Sequence, residues 1–338
     1  MSSQPWFVVV GGFLGAGKTT LILAAARELA KRGTKSAVIL NDQGDSLVDT
    51  QMARRHGLNA DEVTGGCFCC NFSDLIASAE RLREYAPDVI FAEPVGSCTD
   101  ISATILYPLR EQYSQAFRLA PFTVCIDPAR AAEVEKPDCN PNFAYLFRQQ
   151  LAEADLVCYT KSDLHNDAPP RARKVSAVTG QGVQAWLDEI LSGQLSAGGR
   201  LLDIDYEEYA RAEAALAWLN LNATIECDPP VSPSMLLGPA FDRIAEGVDV
   251  VHLKATDYAD SGFLKAAVCA GGEEPSIEGA LDASPAARHQ ILINLRAAGD
   301  PEPVRAVVEA AVAAMPGTAR DIQLACFTPA PPKKPAWR

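Results

Sequence analysis

Residues 12–19 read GFLGAGKT and have the spacing of a loop that binds phosphate groups. Glycines at this spacing let consecutive backbone N–H groups turn toward a phosphate. Lys18 is placed to reach the β- and γ-phosphates of a nucleotide, and the Thr19 hydroxyl is placed to hold Mg²⁺. The alternative is an ordinary glycine-rich turn. The residues predicted to bind the nucleotide phosphates are Gly12, Gly15, Ala16, Gly17, Lys18, Thr19 and Thr20.

A second group, Thr160 to Asp163, reads TKSD at the end of a strand-like run and has the residue types that recognise guanine. The Asp163 carboxylate can accept hydrogen bonds from both N1–H and the N2 amino group, two donors that adenine lacks. The Lys161 stem can pack along the base, and an amide of the loop at Ser176 and Ala177 can donate to O6. Such a site prefers GTP to ATP by orders of magnitude. The alternative is an ordinary capped turn.

Cys67, Cys69 and Cys70 place three thiols directly after two glycines. In an extended segment Cys67 and Cys69 point the same way, and a turn can bring Cys70 to them, so three soft ligands can meet one Zn²⁺ or Cu⁺ ion. Candidates for a fourth ligand are Asp42, His56, water and a partner protein. The alternative is a buried or redox-sensing cysteine cluster.

Acidic residues follow two strand-like runs, and the carboxyl ends of parallel strands are where such sheets bind ligands. Asp42, Asp45 and Asp49 follow the second run, where a loop facing Mg²⁺ would lie, and a solvated turn explains each of them equally well. Glu93 follows a later buried run, where it can hold the Mg²⁺ shell, and Gly96 lets an amide approach the γ-phosphate. The predicted catalytic residues are Lys18, Thr19, Glu93 and Asp42, and the predicted Mg²⁺ residues are Thr19, Asp42 and Glu93.

Strand-like and helical patterns alternate from residue 7 to residue 191, which predicts an α/β fold of the P-loop NTPase type with a doubly wound, mostly parallel sheet. A second, smaller α/β domain is expected at the C-terminus. The predicted boundaries are 1–195 for the GTPase domain, 196–248 for a linker and helical connection, and 249–338 for the C-terminal domain with its proline-rich tail. Within the connection, residues 203–219 are expected to be helical.

Composition excludes several classes of protein. The 338 residues carry a net charge of −13, which repels polyphosphate backbones and argues against nucleic acid as a partner. The N-terminus lacks a basic signal region and no apolar run is long enough to span a bilayer, so a cytoplasmic protein with no membrane association is expected. The ten cysteines are too dilute for a disulfide scaffold.

The motifs GGFLGAGKT, GGCFCC, EPVG and TKSD occur in this order within the first 165 residues. This combination resembles the CobW-like P-loop GTPases, which are relatives of the urease and hydrogenase nickel-insertion GTPases. The resemblance covers about the first 190 residues with specific motifs and the remainder only in outline. It implies GTP-driven metal delivery, usually of Zn²⁺ and in some members of cobalt or in support of a cobalamin pathway.

The same resemblance implies roles for individual residues. Lys18 and Thr19 would bind phosphate and Mg²⁺, Glu93 would lie in the Mg²⁺ region, and Lys161 with Asp163 would bind guanine. The delivered metal would bind the cysteines Cys67, Cys69 and Cys70.

The sequence departs from the family pattern in two places. The switch loop of the family usually reads Asn-Glu-Phe-Gly, whereas residues 41–44 read NDQG, with an acid one methylene shorter. The four histidines are scattered, which argues against a histidine-rich metal store.

The sequence therefore predicts a GTP-hydrolysing metallochaperone that binds GTP, Mg²⁺ and Zn²⁺ or Co²⁺ and serves a client protein. The Ras-like catalytic glutamine is replaced by Ser97, so slow turnover is expected, accelerated by a partner, a homodimer or the metal. One alternative is a GTPase chaperone for a cobalamin- or other cofactor-dependent enzyme, with structural cysteines. Two further alternatives are a P-loop small-molecule kinase, against which Asp163 argues, and a nucleotide-dependent scaffold that does not hydrolyse.

Overall fold

A computed structural model describes residues 4–41, 53–54, 57–165, 168–169, 172–269 and 274–335 of the chain. The described chain divides into two compact units. The first comprises the described residues up to Ala212 and those from Pro331 onward, and the second comprises Glu213–Ala330.

The first unit is built on a parallel sheet whose strands follow the order β3-β2-β4-β1-β6-β7-β8, with the short strand β5 paired to β1. The strands described in this unit are β1 (Trp6–Gly11), β2 (Ser36–Asn41), β3 (Asn59–Val63), β4 (Val89–Glu93), β5 (Arg118–Leu119), β6 (Thr123–Ile126), β7 (Leu156–Tyr159) and β8 (Arg173–Lys174). The predicted α/β fold with a mostly parallel sheet is confirmed.

Helices connect these strands. Their bounds are α1 (Lys18–Lys31), α2 (Phe72–Arg83), α3 (Tyr107–Tyr113), α4 (Pro128–Val134), α5 (Pro141–Glu153), α6 (Val183–Ile190) and α7 (Tyr206–Ala214), and a π-helical turn (Ser102–Leu106) leads into α3. Both faces of the sheet are covered, because consecutive β1 side chains from Phe7 to Val10 are all 0% exposed although they point to opposite faces.

The parallel arrangement decides where chemistry can occur. The carboxyl ends of β1, β2, β4, β6 and β7 meet at one edge of the sheet. The residues at or just beyond these ends are Gly12, Asn41, Glu93, Asp127 and Thr160. The site described below is assembled at this edge.

The second unit is an antiparallel sheet with the order β12-β11-β10-β13-β9-β14. Its strands are β9 (Leu216–Val231), β10 (Asp249–Ala259), β11 (Gly262–Val268), β12 (Ser276–Gly279), β13 (Ala286–Ala298) and β14 (Thr318–Phe327), and its helices are α8 (Pro233–Gly247) and α9 (Pro301–Ala313). Alternate β9 residues such as Leu221 and Ile225 form one core with Ile244 of α8 and Val308 of α9.

The second unit begins earlier than the sequence predicts. Residues 216–231 form the longest strand described, although a helix is expected through residue 219 and a connection through residue 248. Ala, Glu and Leu favour a helix locally, but pairing of β9 with both β13 and β14 decides the outcome. None of the helices in the described ranges combines the length and apolarity needed to cross a bilayer.

Candidate functional site

The phosphate-binding loop lies between the end of β1 and the start of α1. Gly12 has a φ of 133°, and a Cβ there would lie 2.4 Å from the carbonyl oxygen of Cys125. Gly17, with a φ of 79°, caps α1. Both positions require glycine because other residues rarely adopt these angles. The first turn of α1 therefore opens into the loop, where its N–H groups can bind an anion.

The Lys18 ammonium group lies inside this loop. Its Nζ donates hydrogen bonds to the carbonyl oxygens of Gly12 at 2.9 Å and Phe13 at 3.2 Å. The same atom lies 4.0 Å from Glu93 Oε1, and Lys18 is only 6% exposed. The loop carbonyls thus hold the lysine charge within the loop.

Thr19 and Glu93, which are far apart in sequence, are brought together. The Thr19 hydroxyl donates to Glu93 Oε1 at 3.0 Å, and both residues are buried. A hydroxyl and a carboxylate are the hard oxygen ligands that Mg²⁺ prefers, so this pair fits a magnesium site. Asp42, the third predicted Mg²⁺ residue, lies outside the described residues, as do Asp45, Asp49 and His56.

Gly96 lies against the phosphate-binding loop. A Cβ at this position would be 2.7 Å from Leu14 Cδ2 and 3.1 Å from Lys18 Nζ. A side chain at this position would have to displace the ends of the Leu14 and Lys18 side chains, so glycine favours this close approach. The other predicted loop residues lie on the same turn or the start of α1: Gly15, Ala16 and Thr20.

The TKSD segment is tied directly to the phosphate-binding loop. The Thr160 hydroxyl lies 2.8 Å from the carbonyl oxygen of Ala16, to which it can donate. Lys161 has a φ of 52°, and its ammonium group forms an ion pair with the Asp127 carboxylate. Asp127 also accepts a hydrogen bond from the Ala129 N–H at 3.0 Å and thereby caps α4.

Asp127 was not identified by the sequence reasoning. It follows directly after β6, whose neighbours in the sheet are β1 and β7. An acid at the carboxyl end of a buried strand is the same signal that identified Glu93. Asp127 therefore belongs to the site as the group that orients Lys161.

Asp163 is exposed on the turn that follows β7, and this turn is joined to the loop at Ser176 and Ala177. The Ser162 N–H donates to the Val175 carbonyl oxygen at 3.2 Å. Ser176 is fully buried, and its Oγ accepts a hydrogen bond from the Thr179 N–H at 3.1 Å. The two segments predicted to contact guanine are therefore neighbours.

The three sulfur atoms of the cysteine loop are close together. The Sγ atoms of Cys67, Cys69 and Cys70 all lie within 4.8 Å of one another. Cys67 and Cys69 are joined as a disulfide, with Cα atoms 5.3 Å apart, and Cys70 Sγ lies 3.4 Å from Cys67 Sγ. The sequence predicts three free thiols in this loop, whereas the structure has one there, at Cys70. The alternating side-chain directions that were expected to present a joint metal site also allow the first two sulfurs to bond.

Asn41 fixes the cysteine loop to the end of β2. Its Nδ2 donates to the carbonyl oxygens of Val63 at 2.9 Å and Gly66 at 2.8 Å, and its Oδ1 accepts from the Phe68 N–H at 2.8 Å. The Cys70 N–H donates to the Cys67 carbonyl oxygen at 3.0 Å and makes the expected turn. The sequence reasoning considered the acid that follows Asn41 and missed Asn41 itself.

Comparison with known proteins shows which family this chain resembles. Residues 6–184 match the nucleotide-binding domain of the CobW/HypB/UreG family. The chain is similar to the zinc chaperone YeiR of Escherichia coli (strain K12), with 29% identity over 222 residues. It is also similar to the zinc chaperone CobW of Sinorhizobium sp, with 32% identity over 182 residues, and to the zinc chaperone YjiA of Escherichia coli (strain K12), with 29% identity over 166 residues.

These alignments cover 62%, 46% and 46% of this chain, in the same order. They cover 61%, 50% and 49% of the three relatives, so the chain spans about half the length of the relatives it matches. The family match itself covers more than half of this chain and includes the phosphate-binding loop, the cysteine loop and the TKSD segment. The chain therefore belongs to the CobW/HypB/UreG family through its nucleotide-binding domain.

Proposed function

We propose that this protein is a slow GTPase that binds a transition metal at its cysteine loop and delivers the metal to a client protein. The observation that carries the proposal is the position of the three sulfur atoms. They lie within 4.8 Å of one another on a loop that Asn41 ties to β2. In the sheet, Leu40 pairs with Glu93, so Asn41 lies one residue beyond the partner of the predicted Mg²⁺ ligand.

The proposed binding of the nucleotide phosphates and Mg²⁺ rests on Lys18, Thr19 and Glu93. The helix start and Lys18 would hold the phosphates, and Thr19 with Glu93, joined by Asp42, would hold Mg²⁺. When bound, Mg²⁺ would neutralise charge on the β- and γ-phosphates. The protein would contribute positioning and an electrostatic environment, since phosphoryl transfer to water needs no covalent intermediate on the chain.

The proposed recognition of the guanine base rests on Asp163. Its carboxylate is exposed beside the loop at Ser176 and Ala177, where it can accept both donors of the guanine edge. Lys161 is held by Asp127, and its stem would cover one face of the base. GTP is accordingly the preferred nucleotide over ATP.

Hydrolysis is expected to be slow without a partner. The position after Gly96 is Ser97, whose side chain is fully buried and too short to orient an attacking water as glutamine does in Ras. A client protein, a second copy of this chain or the bound metal can supply the acceleration.

Zn²⁺ is the first candidate for the metal and Co²⁺ the second. Thiolates are soft ligands that suit Zn²⁺, and the three relatives are named zinc chaperones. Thiolate ligands require Cys67 and Cys69 to be reduced, which fits a protein that works in the cytoplasm.

The nucleotide and the metal would be coupled through β2. Asn41 ends β2 and directly precedes Asp42, and the same Asn41 side chain holds the cysteine loop. A shift of Asn41 on loss of the γ-phosphate would therefore change the geometry of the thiols. Coupling of this kind requires that the metal binds with different affinity in the GTP and GDP states.

The test is a metal titration resolved by nucleotide. Zn²⁺ and Co²⁺ affinities are measured for the reduced, chelator-treated protein with Mg²⁺-GDP and with a non-hydrolysable GTP analogue, using Co²⁺ absorption to report thiolate ligation. The expected affinities differ between nucleotides by about tenfold or more, which is about 1.4 kcal/mol. A triple Cys→Ser variant at 67, 69 and 70 should lose metal binding, and Cys139→Ser, which removes a half-buried thiol elsewhere, should retain it. Equal affinity in both nucleotide states would contradict a GTP-switched carrier.

The disulfide supports a second candidate, a GTPase chaperone whose cysteines are structural. A bonded Cys67–Cys69 pair holds the loop without a metal. This function predicts unchanged metal affinity in the triple Cys→Ser variant and a client of the second unit, such as a cofactor-dependent enzyme. The same titration therefore separates the two candidates.

A further inference from the structure

The segment that follows Glu93 is buried without forming regular structure. Residues 94–100 are all buried, yet they belong to neither a helix nor a strand. Buried backbone N–H and C=O groups need hydrogen-bond partners. In this segment two backbone carbonyls are bonded by one side chain of α5.

Gln150 of α5 supplies two of these hydrogen bonds. Its Nε2 donates to the Gly96 carbonyl oxygen at 3.0 Å and to the Cys98 carbonyl oxygen at 2.9 Å. Both partners are acceptors, so the amide nitrogen must face them. The Gln150 Oε1 is then buried without a hydrogen-bond partner among the described residues, although a buried lone acceptor is costly. The side chain at position 150 therefore needs one group that can donate two hydrogen bonds.

One of the two hydrogen bonds of Gln150 is made to Gly96. Gly96 lies against the phosphate-binding loop, with its hypothetical Cβ 3.1 Å from Lys18 Nζ. In a planar trans peptide, fixing the Gly96 carbonyl also fixes the Ser97 N–H in the same plane and restrains the Gly96 backbone beside it. Gln150 therefore sets the direction of the backbone at the point where a γ-phosphate would be contacted.

The rest of α5 makes it a rigid support for this task. Phe143 of α5 packs against Phe13 of the phosphate-binding loop, with ring centroids 6.2 Å apart. Glu153, at the other end of α5, accepts hydrogen bonds from the Thr99 hydroxyl at 3.1 Å and the Ser102 N–H at 3.2 Å. One helix thus contacts the loop that holds phosphate and the segment that contains Gly96.

We propose that Gln150 is a positioning residue of the nucleotide site, which holds the Gly96 backbone so that it binds the γ-phosphate and separates GTP from GDP. This inference rests on the proposed GTP-binding function. Gln150 itself does not touch the nucleotide. Its effect is specific to the γ-phosphate, because the base and the other phosphates are held by residues that Gln150 does not contact.

The test compares Gln150→Glu with wild type and with Gln149→Glu. Glutamate has the shape of glutamine but cannot donate to two carbonyls, and Gln149 is its half-buried neighbour on the same helix. Affinities for Mg²⁺-GDP and for a non-hydrolysable GTP analogue are measured, together with kcat and KM for GTP. For Gln150→Glu, the GTP-analogue affinity should fall about tenfold or more while the GDP affinity changes by less than about twofold. Gln149→Glu should change neither.

An equal loss of GDP and GTP-analogue affinity would show a merely structural role and overturn the assignment, as would an unchanged GTP-analogue affinity. Should Gln150→Glu not fold, Gln150→Asn retains both donors on a side chain one methylene shorter and must show the same selective loss. Wild-type protein that binds neither nucleotide would remove the proposed function and this inference with it. Wild-type binding with an unselective Gln150 variant would overturn this inference alone.

Discussion

Asn41 Oδ1 accepts a hydrogen bond from the Phe68 N–H at 2.8 Å and so joins the end of β2 to the middle of the cysteine loop. Phe68 is fully buried between Cys67 and Cys69 in sequence. Its backbone therefore positions both flanking sulfurs. A displacement of Asn41 would reach the sulfurs through this hydrogen bond and through the one that Asn41 donates to the Gly66 carbonyl.

Replacement of Asn41 by alanine should weaken metal binding without removing any sulfur. Three hydrogen bonds are lost at roughly 1 kcal/mol each, two to the loop and one to the end of β3, so the loop is less well ordered before the metal binds. We expect the Zn²⁺ affinity of the reduced protein to fall about tenfold or more in a competition titration with a chromophoric chelator. Asn59→Ala, at the exposed start of β3, is the matched control and should bind Zn²⁺ as wild type does. Unchanged affinity in Asn41→Ala would show that the loop is organised without this side chain.

Asp163→Asn should change the base that the protein prefers. An asparagine retains an acceptor for N1–H and presents a donor to the base edge, which suits xanthine rather than guanine. We expect GDP affinity to fall roughly a hundredfold and XDP affinity to rise, measured with fluorescent nucleotide analogues. Asp138→Asn removes another exposed carboxylate and should leave both affinities unchanged. Equal GDP affinity in Asp163→Asn and wild type would show that guanine is read elsewhere.

Two variants of Asp127 separate its two roles. Asp127→Asn can still accept from the Ala129 N–H but loses the ion pair with Lys161, so it should lower GDP affinity with little change in stability. Asp127→Ala also loses the α4 cap and should lower the free energy of unfolding by about 1 kcal/mol more. Nucleotide titration and urea unfolding measure the two effects. A common loss of stability in both variants would contradict this separation.

Glu153 should make stability depend on pH. Its full burial raises the pKa of Glu153 to about 8, an effect to which the nearby Asp100 charge adds, although hydrogen bonds from Ser102 and Thr99 oppose it. The folded state therefore binds the proton more tightly than the unfolded state, whose pKa is near 4.5. The stabilisation is complete below the unfolded pKa and is lost as the pH rises through the folded pKa, at up to about 1.4 kcal/mol per pH unit.

Glu153→Gln resembles the protonated carboxyl and cannot ionise. Its stability relative to wild type should rise between pH 5 and pH 8, roughly the interval between the two pKa values, as measured by urea unfolding across this range. Glu135→Gln, an exposed change at the end of α4, serves as the control and should follow wild type. Parallel pH profiles for Glu153→Gln and wild type would contradict the raised pKa.

The order of strands, loops and helices along the chain makes much of this site predictable. Each motif is a continuous loop that follows a strand, and parallel strands separated by helices bring their carboxyl ends to one edge. Thr19 and Glu93 could therefore be placed together, and the structure has them 3.0 Å apart. The sequence signal in such cases is local, since a run of apolar residues marks the strand and the next polar residues mark the edge.

The supporting side chains could not be found in this way. Asn41, Gln150 and Glu153 act on backbone groups far away in sequence, and no local pattern marks a glutamine that will face two buried carbonyls. The helix expected through residue 219 is wrong for a related reason. Residues 216–219 are helix-forming types, but pairing with β13 and β14 makes them part of a strand. Long-range pairing of backbone groups is the information that a single sequence leaves out.

The hydrogen bond between Thr160 and Ala16, at 2.8 Å, fixes the spacing between the segment that would read the base and the loop that would hold the phosphates. A nucleotide that reaches both ends behaves as a bivalent ligand. Once its phosphates are bound, its base meets the second subsite at a high effective concentration, because the linkage through the ribose is short and the subsites are held in register. Guanosine and pyrophosphate supplied as separate molecules lack this linkage, and together they should bind far more weakly than GDP.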